Sequence, residues 1–154
     1  MLNWGVIGCG GIAYRRTIPE GILRAKNARL LAVMDADKNK AKEVGEKFGV
    51  RYYSNIEDIL RDRDIQVIYI ATPVYLHKEQ IIRSARAGKH ILSEKPLALK
   101  SGEAGEIIDV CKKEGVKLGV GYMMRFHSLH QKAKEMIENN ELGDIVFARA
   151  QLSC

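Results

Sequence analysis

Near its start the chain carries an apolar run that leads directly into glycines, Trp4-Gly5-Val6-Ile7-Gly8-Cys9-Gly10-Gly11-Ile12-Ala13. The run predicts a buried β-strand, and a helical pattern over residues 12–26 follows the glycines. Gly8, Gly10 and Ala13 fill the spacing G-x-G-x-x-A. Gly8 allows a tight turn, Gly10 lets the backbone approach a pyrophosphate closely, and a helix start favours an anion. We therefore predict a dinucleotide site, with a plain glycine turn as the alternative.

Short apolar runs alternate with longer amphipathic stretches over most of the chain. The predicted strands are 4–8, 30–34, 51–53, 67–71, 89–92 and 117–121, and the predicted helices are 12–26, 37–48, 55–60, 75–87 and 101–114. Glycine follows several of these helices, as expected for a helix end. Alternation of this kind implies an α/β fold, a Rossmann-type doubly wound parallel sheet with right-handed crossovers.

The alternation of predicted strands and helices changes in the last thirty residues. A helix is predicted over 126–139, and residues 144–152 alternate at period two, which indicates a half-buried strand. A strand without a partner leaves an apolar face and an edge uncovered. We expect a dinucleotide-binding domain at 1–122 and, at 123–154, the incomplete beginning of a second α/β domain for substrate and oligomer contacts. The alternative is a strand that pairs across a dimer.

Composition narrows the function classes. Of 154 residues 46% are hydrophobic and 29% are charged, and the net charge of +6 is scattered. We therefore expect no nucleic-acid partner, although positive charge can attract an anionic cofactor. No apolar stretch approaches the roughly 20 residues of a membrane span, so no membrane partner is expected. The cysteines, Cys9, Cys111 and Cys154, lack metal-ligand spacing; we expect no metal site, and free thiols in a reducing compartment, the cytoplasm.

Asp35 ends the second predicted strand, 22 positions after Ala13. This is close to the offset of about 20 residues at which an acid binds the adenosine ribose in dinucleotide folds. A carboxylate there accepts hydrogen bonds from both ribose hydroxyls and repels a 2′-phosphate, so NAD is favoured over NADP. The alternative is that Asp35 or Asp37 only caps the following helix.

Thr72 and Pro73 directly follow the fourth strand. Pro73 stops the strand, and the Thr72 hydroxyl lies where a cofactor should pass, unless the pair forms a simple turn. His77 falls in the first turn of the next helix. Because a cation is disfavoured at a helix start, we expect a neutral imidazole that contacts the cofactor or packs in the core.

Glu94-Lys95-Pro96 follows the fifth strand. Open α/β sheets place ligands at such strand ends. A lysine there can hold a hydroxyl or donate a proton, so Lys95 is the candidate catalytic residue.

Three motifs in this order, Gly8-x-Gly10-Gly11-Ile12-Ala13, Ala71-Thr72-Pro73-x-x-x-His77 and Glu94-Lys95-Pro96, resemble the Gfo/Idh/MocA family of nicotinamide-dependent oxidoreductases. The resemblance covers essentially the whole chain. It implies an N-terminal Rossmann domain, a C-terminal domain with an open, mostly antiparallel sheet, and hydride transfer between NAD(P) and a sugar, inositol or other polyol. It also implies a homo-oligomer at full length.

The resemblance further implies cofactor contacts for residues of several loops: Gly8, Gly10, Gly11, Ile12, Asp35, Thr72, Pro73, His77, Glu94, Lys95 and Arg125. In the family pattern Glu94 lies beside the nicotinamide ribose, and Lys95 contacts the substrate hydroxyl and assists proton transfer. Val74 stands where the family often has Asn, which removes one amide donor. The family's catalytic aspartate and histidine belong to the second domain, so we expect this chain alone to be inactive. The alternatives are a non-catalytic family member or another Rossmann enzyme such as a methyltransferase.

Overall fold

The structure is a computed structural model that describes residues 1–151. Six parallel strands form one sheet in the order β3-β2-β1-β4-β5-β6 within these residues. Their bounds are β1 (Leu2–Ile7), β2 (Ala28–Met34), β3 (Arg51–Tyr53), β4 (Val67–Ile70), β5 (His90–Ser93) and β6 (Leu118–Val120). This order, with all pairings parallel, confirms the Rossmann-type doubly wound α/β sheet.

Five helices connect the strands: α1 (Ala13–Ile22), α2 (Lys38–Phe48), α3 (Ile56–Arg61), α4 (Val74–Arg86) and α5 (Ser101–Lys113). Local signals set their ends. The Asp37 carboxylate accepts hydrogen bonds from two backbone N–H groups of the first turn of α2, and the Asn55 side-chain oxygen accepts one from the Glu57 N–H at the start of α3. Gly49 ends α2 with φ 65°, a conformation that costs glycine little.

The helices cover both faces of the sheet. On one face Ile7, Ile68 and Ile70 pack against α3, α4 and α5, and on the other Val6, Val33 and Tyr69 pack against α1 and α2. All four residues of β4 are buried. A strand buried on both faces needs a continuous apolar run, which is why the pattern at 67–70 does not alternate.

Helix α1 differs from the expected α-helix over 12–26. It is wound as a π-helix, in which each N–H bonds to the carbonyl five residues back, as in Leu23 N–H to Ile18 O at 3.0 Å. Its buried residues, Ala13, Ile18 and Ile22, recur at intervals of four to five, which matches the wider turn. Pro19 lies inside this helix and cannot donate a backbone hydrogen bond.

Residues 1–121 form one compact unit, and the residues from Tyr122 onward form another. The second unit contains a 3₁₀ turn (Met123–Phe126) and helix α6 (Ser128–Glu138). The strand expected over 144–152 is absent from its described part, 144–151; residues 152–154, with Cys154, lie outside the described residues. A pattern of alternating apolar residues predicts only which side of a strand would be buried. A strand also needs a neighbouring strand for its backbone hydrogen bonds, and residues 144–151 pair with none within the described chain.

No helix described within residues 1–151 is long and apolar enough to cross a membrane.

Candidate functional site

A groove lies at the carboxyl ends of β1, β2 and β4, where the strand order reverses. Crossovers leave this point in opposite directions, which opens a crevice between the loops. The groove has a volume of about 350 Å³. It is lined by Gly8, Gly10, Gly11, Met34, Asp35, Ala36, Ala71, Thr72, Pro73, Tyr75, Leu76 and Gln80. The structure thus brings together six of the predicted site residues with side chains from α4.

Gly8 and Gly10 in the glycine turn have different structural reasons to be glycine. Gly8 has φ 79°, and a Cβ at this position would lie 2.8 Å from Thr72 Cγ2 and 2.9 Å from the Ala71 carbonyl carbon. Gly8 is therefore required because the loops after β1 and β4 touch. A Cβ on Gly10 would have no heavy atom of the described chain within 4 Å. The space over Gly10 is open to a ligand, so the turn fits the cradle that a pyrophosphate needs.

The two acids after β2 have separate roles. Asp37 caps α2, and its backbone N–H donates to Asp35 Oδ1 at 3.1 Å. Asp35 itself does not cap the helix and lines the groove. The Cys9 thiol points toward it, with Sγ 3.9 Å from Asp35 Oδ2. Burial, with a further effect of the Asp35 carboxylate, raises the pKa of Cys9 to about 12, so this thiol stays protonated at neutral pH.

The wall formed by α4 contains residues that the sequence analysis did not select. Gln80, Tyr75 and Leu76 all line the groove. Thr72 Oγ1 donates to Gln80 Oε1 at 2.6 Å, which engages the hydroxyl that we expected to face a cofactor. The spacing of Leu76 and Gln80, four residues apart on the helix that follows Pro73, is a signal that could have indicated this wall.

His77 lies behind the groove wall and is only 1% exposed. Its Nδ1 is 2.9 Å from the Pro96 carbonyl oxygen, and its Nε2 is 2.9 Å from the Thr72 carbonyl oxygen. Carbonyl oxygens only accept, so a ring with one N–H donates to one of these two carbonyls at a time. The neutral form of the ring stays a prediction. His77 connects the loop after β4 to the loop after β5.

Glu94 and Lys95 lie at the end of β5, beside β4. Both oxygens of the half-buried Glu94 carboxylate are engaged: Oε1 accepts from the Tyr69 hydroxyl at 2.7 Å, and Oε2 accepts from the Lys95 backbone N–H at 3.2 Å. Lys95 is exposed, and its ammonium forms no ion pair with any described residue. Its peptide bond to Pro96 is cis. Tyr69 was expected only as a buried strand residue.

Two further predicted residues lie outside the groove lining. Ile12 is the residue before α1 and is 42% exposed. Arg125 belongs to the 3₁₀ turn of the second unit, where its backbone carbonyl accepts a hydrogen bond from the Gln131 side chain. A cofactor contact of either residue stays a prediction.

Comparison with known proteins places this geometry in context. The model of an oxidoreductase family with an NAD-binding Rossmann fold, GFO_IDH_MocA, matches residues 2–122. A dTDP-3,4-didehydro-2,6-dideoxy-alpha-D-glucose 3-reductase from Streptomyces violaceoruber is 31% identical over 94% of this chain and 42% of its own. A D-xylose 1-dehydrogenase (NADP(+)) from Haloferax volcanii is 31% identical over 99% of this chain and 46% of its own.

Among solved structures, a 3-ketoreductase from Actinomadura kijaniata in complex with NADP and TDP-benzene superimposes with a TM-score of 0.84 at 31% identity. The match covers 90% of this chain and 42% of that one. The chain therefore spans less than half the length of the curated relatives that it matches.

Proposed function

The chain belongs to the Gfo/Idh/MocA oxidoreductase family, and from this premise we propose that it is the cofactor-binding portion of an enzyme that transfers hydride between NAD(P) and a sugar or another polyol. The observation that carries the proposal is one groove at the switch point of the sheet. It joins the open glycine turn, the Asp35 carboxylate and the loop after β4. Family membership favours this oxidoreductase over the methyltransferase alternative.

The residues of the groove fit a dinucleotide. Gly8, Gly10 and Gly11 would hold the pyrophosphate at the start of α1, with Ile12 beside them, and Asp35 would hold the adenosine ribose. Pro73 and Thr72 would border the path toward Glu94, whose carboxylate would accept hydrogen bonds from the second ribose. When bound, the nicotinamide supplies or accepts the hydride.

Lys95 is the candidate proton-handling residue. It is exposed at the carboxyl end of β5, and its ammonium is free of ion pairs within residues 1–151. An ammonium in this position would donate a hydrogen bond to the reacting oxygen of a substrate and pass a proton to or from it. Secondary alcohols and carbonyls of sugars, inositols and other polyols suit this chemistry. Both named relatives act on sugars, a dTDP-sugar and D-xylose, which supports a sugar as the substrate class.

We propose a preference for NAD over NADP. The supporting observation is that Asp37 caps α2, which leaves the Asp35 carboxylate in the groove. A 2′-phosphate beside it would suffer like-charge repulsion, which costs several kcal/mol at a contact. The names of two relatives carry NADP, so this preference separates the present chain from them and needs its own test.

The roles of the two parts of the chain within the full-length enzyme are also a proposal. Residues 1–122 would bind the cofactor, and residues 123–154 would belong to the domain that contributes substrate and homo-oligomer contacts. Arg125 would border the cofactor at the crossing between the domains. We expect little or no turnover by the 154-residue chain itself, and measurable polyol dehydrogenase activity of this chain would overturn that expectation.

A fluorescence titration tests the cofactor proposal directly. The 154-residue chain is titrated with NADH and with NADPH, and Asp35→Ser is measured in parallel. We expect NADH to bind at least about tenfold more tightly than NADPH, and the substitution to remove most of that difference. Failure to bind either dinucleotide would overturn the proposed function. Equal binding of the two by the unchanged chain would overturn only the NAD preference.

A further inference from the structure

We infer that Tyr69, supported by Thr17, is a positioning residue that orients the Glu94 carboxylate toward the nicotinamide-side ribose. This inference rests on the proposed function, and it concerns side chains from three different elements. Tyr69 lies on β4, Thr17 on α1, and Glu94 directly after β5.

The sheet brings Tyr69 and Glu94 to the same face. Tyr69 is paired with Leu92 in the parallel register of β4 and β5. Side chains alternate along a strand, so Glu94, two residues beyond Leu92, points to the same side as Tyr69. The phenol reaches this diagonal neighbour, and its hydroxyl lies 2.7 Å from Glu94 Oε1.

The hydrogen bonds around the Tyr69 hydroxyl have one consistent direction. An ionised carboxylate only accepts, so the single hydroxyl proton of Tyr69 is donated to Glu94. Thr17 Oγ1 lies 3.0 Å from the same phenol oxygen. Because the phenol has no second proton, Thr17 must be the donor in that contact. The result is a series of two hydrogen bonds: the Thr17 hydroxyl donates to the Tyr69 hydroxyl, and the Tyr69 hydroxyl donates to the Glu94 carboxylate.

Burial keeps the phenol in its donating form. Tyr69 is 2% exposed. Burial is the main cause that raises the pKa of its hydroxyl, and the hydrogen bond with Glu94 and the charge of Glu94 raise this pKa further. A neutral phenol that donates to a charged acceptor makes a strong and directional bond. Together with the Lys95 N–H on Oε2, it leaves the carboxylate little freedom to rotate. Glu94 is thus held in one orientation before any ligand arrives.

The test compares two ligands on the 154-residue chain. NADH contains the ribose that Glu94 would contact, whereas ADP contains only the adenosine side. In Tyr69→Phe we expect NADH to bind about tenfold more weakly, the effect of one hydrogen bond to a charged group, and ADP to bind as before within about twofold. A general loss of structure would weaken both ligands alike.

Tyr53→Phe is the matched control, because the Tyr53 hydroxyl also donates to a carboxylate, Asp62 Oδ2 at 3.0 Å, on the other face of the sheet. We expect it to leave both affinities unchanged. In a Glu94→Ala background, Tyr69→Phe should cause no further loss of NADH affinity, since the phenol then has no carboxylate to orient.

Thr17→Val provides a second, milder variant in case Tyr69→Phe folds poorly. It removes the donor to the phenol and should weaken NADH binding in the same ligand-selective way. If the unchanged chain binds no NADH, the proposed function fails and this inference fails with it. If the chain binds NADH but the variants weaken NADH and ADP equally, or weaken neither, the positioning role of Tyr69 is wrong while the proposed function stands.

Discussion

Replacement of Gly8 by Ala is the sharpest test of how the glycine turn is built. The new Cβ would lie 2.8 Å from Thr72 Cγ2 and 2.9 Å from backbone atoms of Ala71 and Thr72. Backbone cannot rotate away as a flexible side chain can, so the loops after β1 and β4 must separate. The left-handed conformation at φ 79° adds about 1–2 kcal/mol for a residue with a Cβ. With about 1–3 kcal/mol for overpacking, we expect a loss of about 2–5 kcal/mol in unfolding free energy.

Gly10→Ala is the control within the same turn. Its Cβ would have no heavy atom of the described chain within 4 Å, and its φ does not lie in the left-handed region. We expect the unfolding free energy to stay within about 0.5 kcal/mol of the original chain. NADH binding should nevertheless weaken, because the added methyl group occupies space that the pyrophosphate needs.

Urea unfolding followed by circular dichroism measures the first effect, and NADH fluorescence titration measures the second. A lower midpoint with an unchanged slope would show that stability itself has changed. If Gly8→Ala costs less than about 1 kcal/mol, or if both variants lose the same stability, the contact between the two loops is not what requires glycine at position 8.

Three further predictions concern buried or reactive groups. His77→Ala should lower the unfolding free energy by at least about 2 kcal/mol, since the carbonyls of Thr72 and Pro96 lose their buried donor; a loss below about 0.5 kcal/mol in urea unfolding would contradict this. Cys9 stays protonated when folded, with a pKa of about 12 against about 9 when unfolded, so the unfolded chain releases its proton first and stability falls as pH rises. Between pH 9 and pH 10, Cys9 should lower the unfolding free energy by about 1 kcal/mol. The measurement is the difference in unfolding free energy between the original chain and Cys9→Ala at each pH. An identical pH dependence in both proteins would contradict the prediction. Lys95→Met should leave stability within about 0.5 kcal/mol, because the side chain is exposed, yet abolish turnover in the full-length enzyme, and an active variant would exclude its proton-handling role.

Local signals predicted most of the fold. The apolar runs and the glycine and Asp caps depend on a few neighbouring residues, and the predicted elements match the six strands and five helices of the first unit within a few residues at most ends. Two elements departed from their predictions. The π-helical winding of α1 depends on how its buried residues fit over the sheet. The strand expected over 144–152 would need a pairing partner, which no pattern along one segment can supply.

The sequence by itself determined where the candidate site lies, because parallel strands bring every loop at their carboxyl ends to one edge. Gly8, Asp35 and Thr72 could therefore be selected as candidates from their spacing and their places after strands, and they share one groove. Only the tertiary structure decided which side chains hold that site together. The contacts of Tyr69 with Glu94 and of His77 with the Pro96 carbonyl join residues that are distant in sequence. Their directions follow from sheet register and helix packing, which no local pattern encodes.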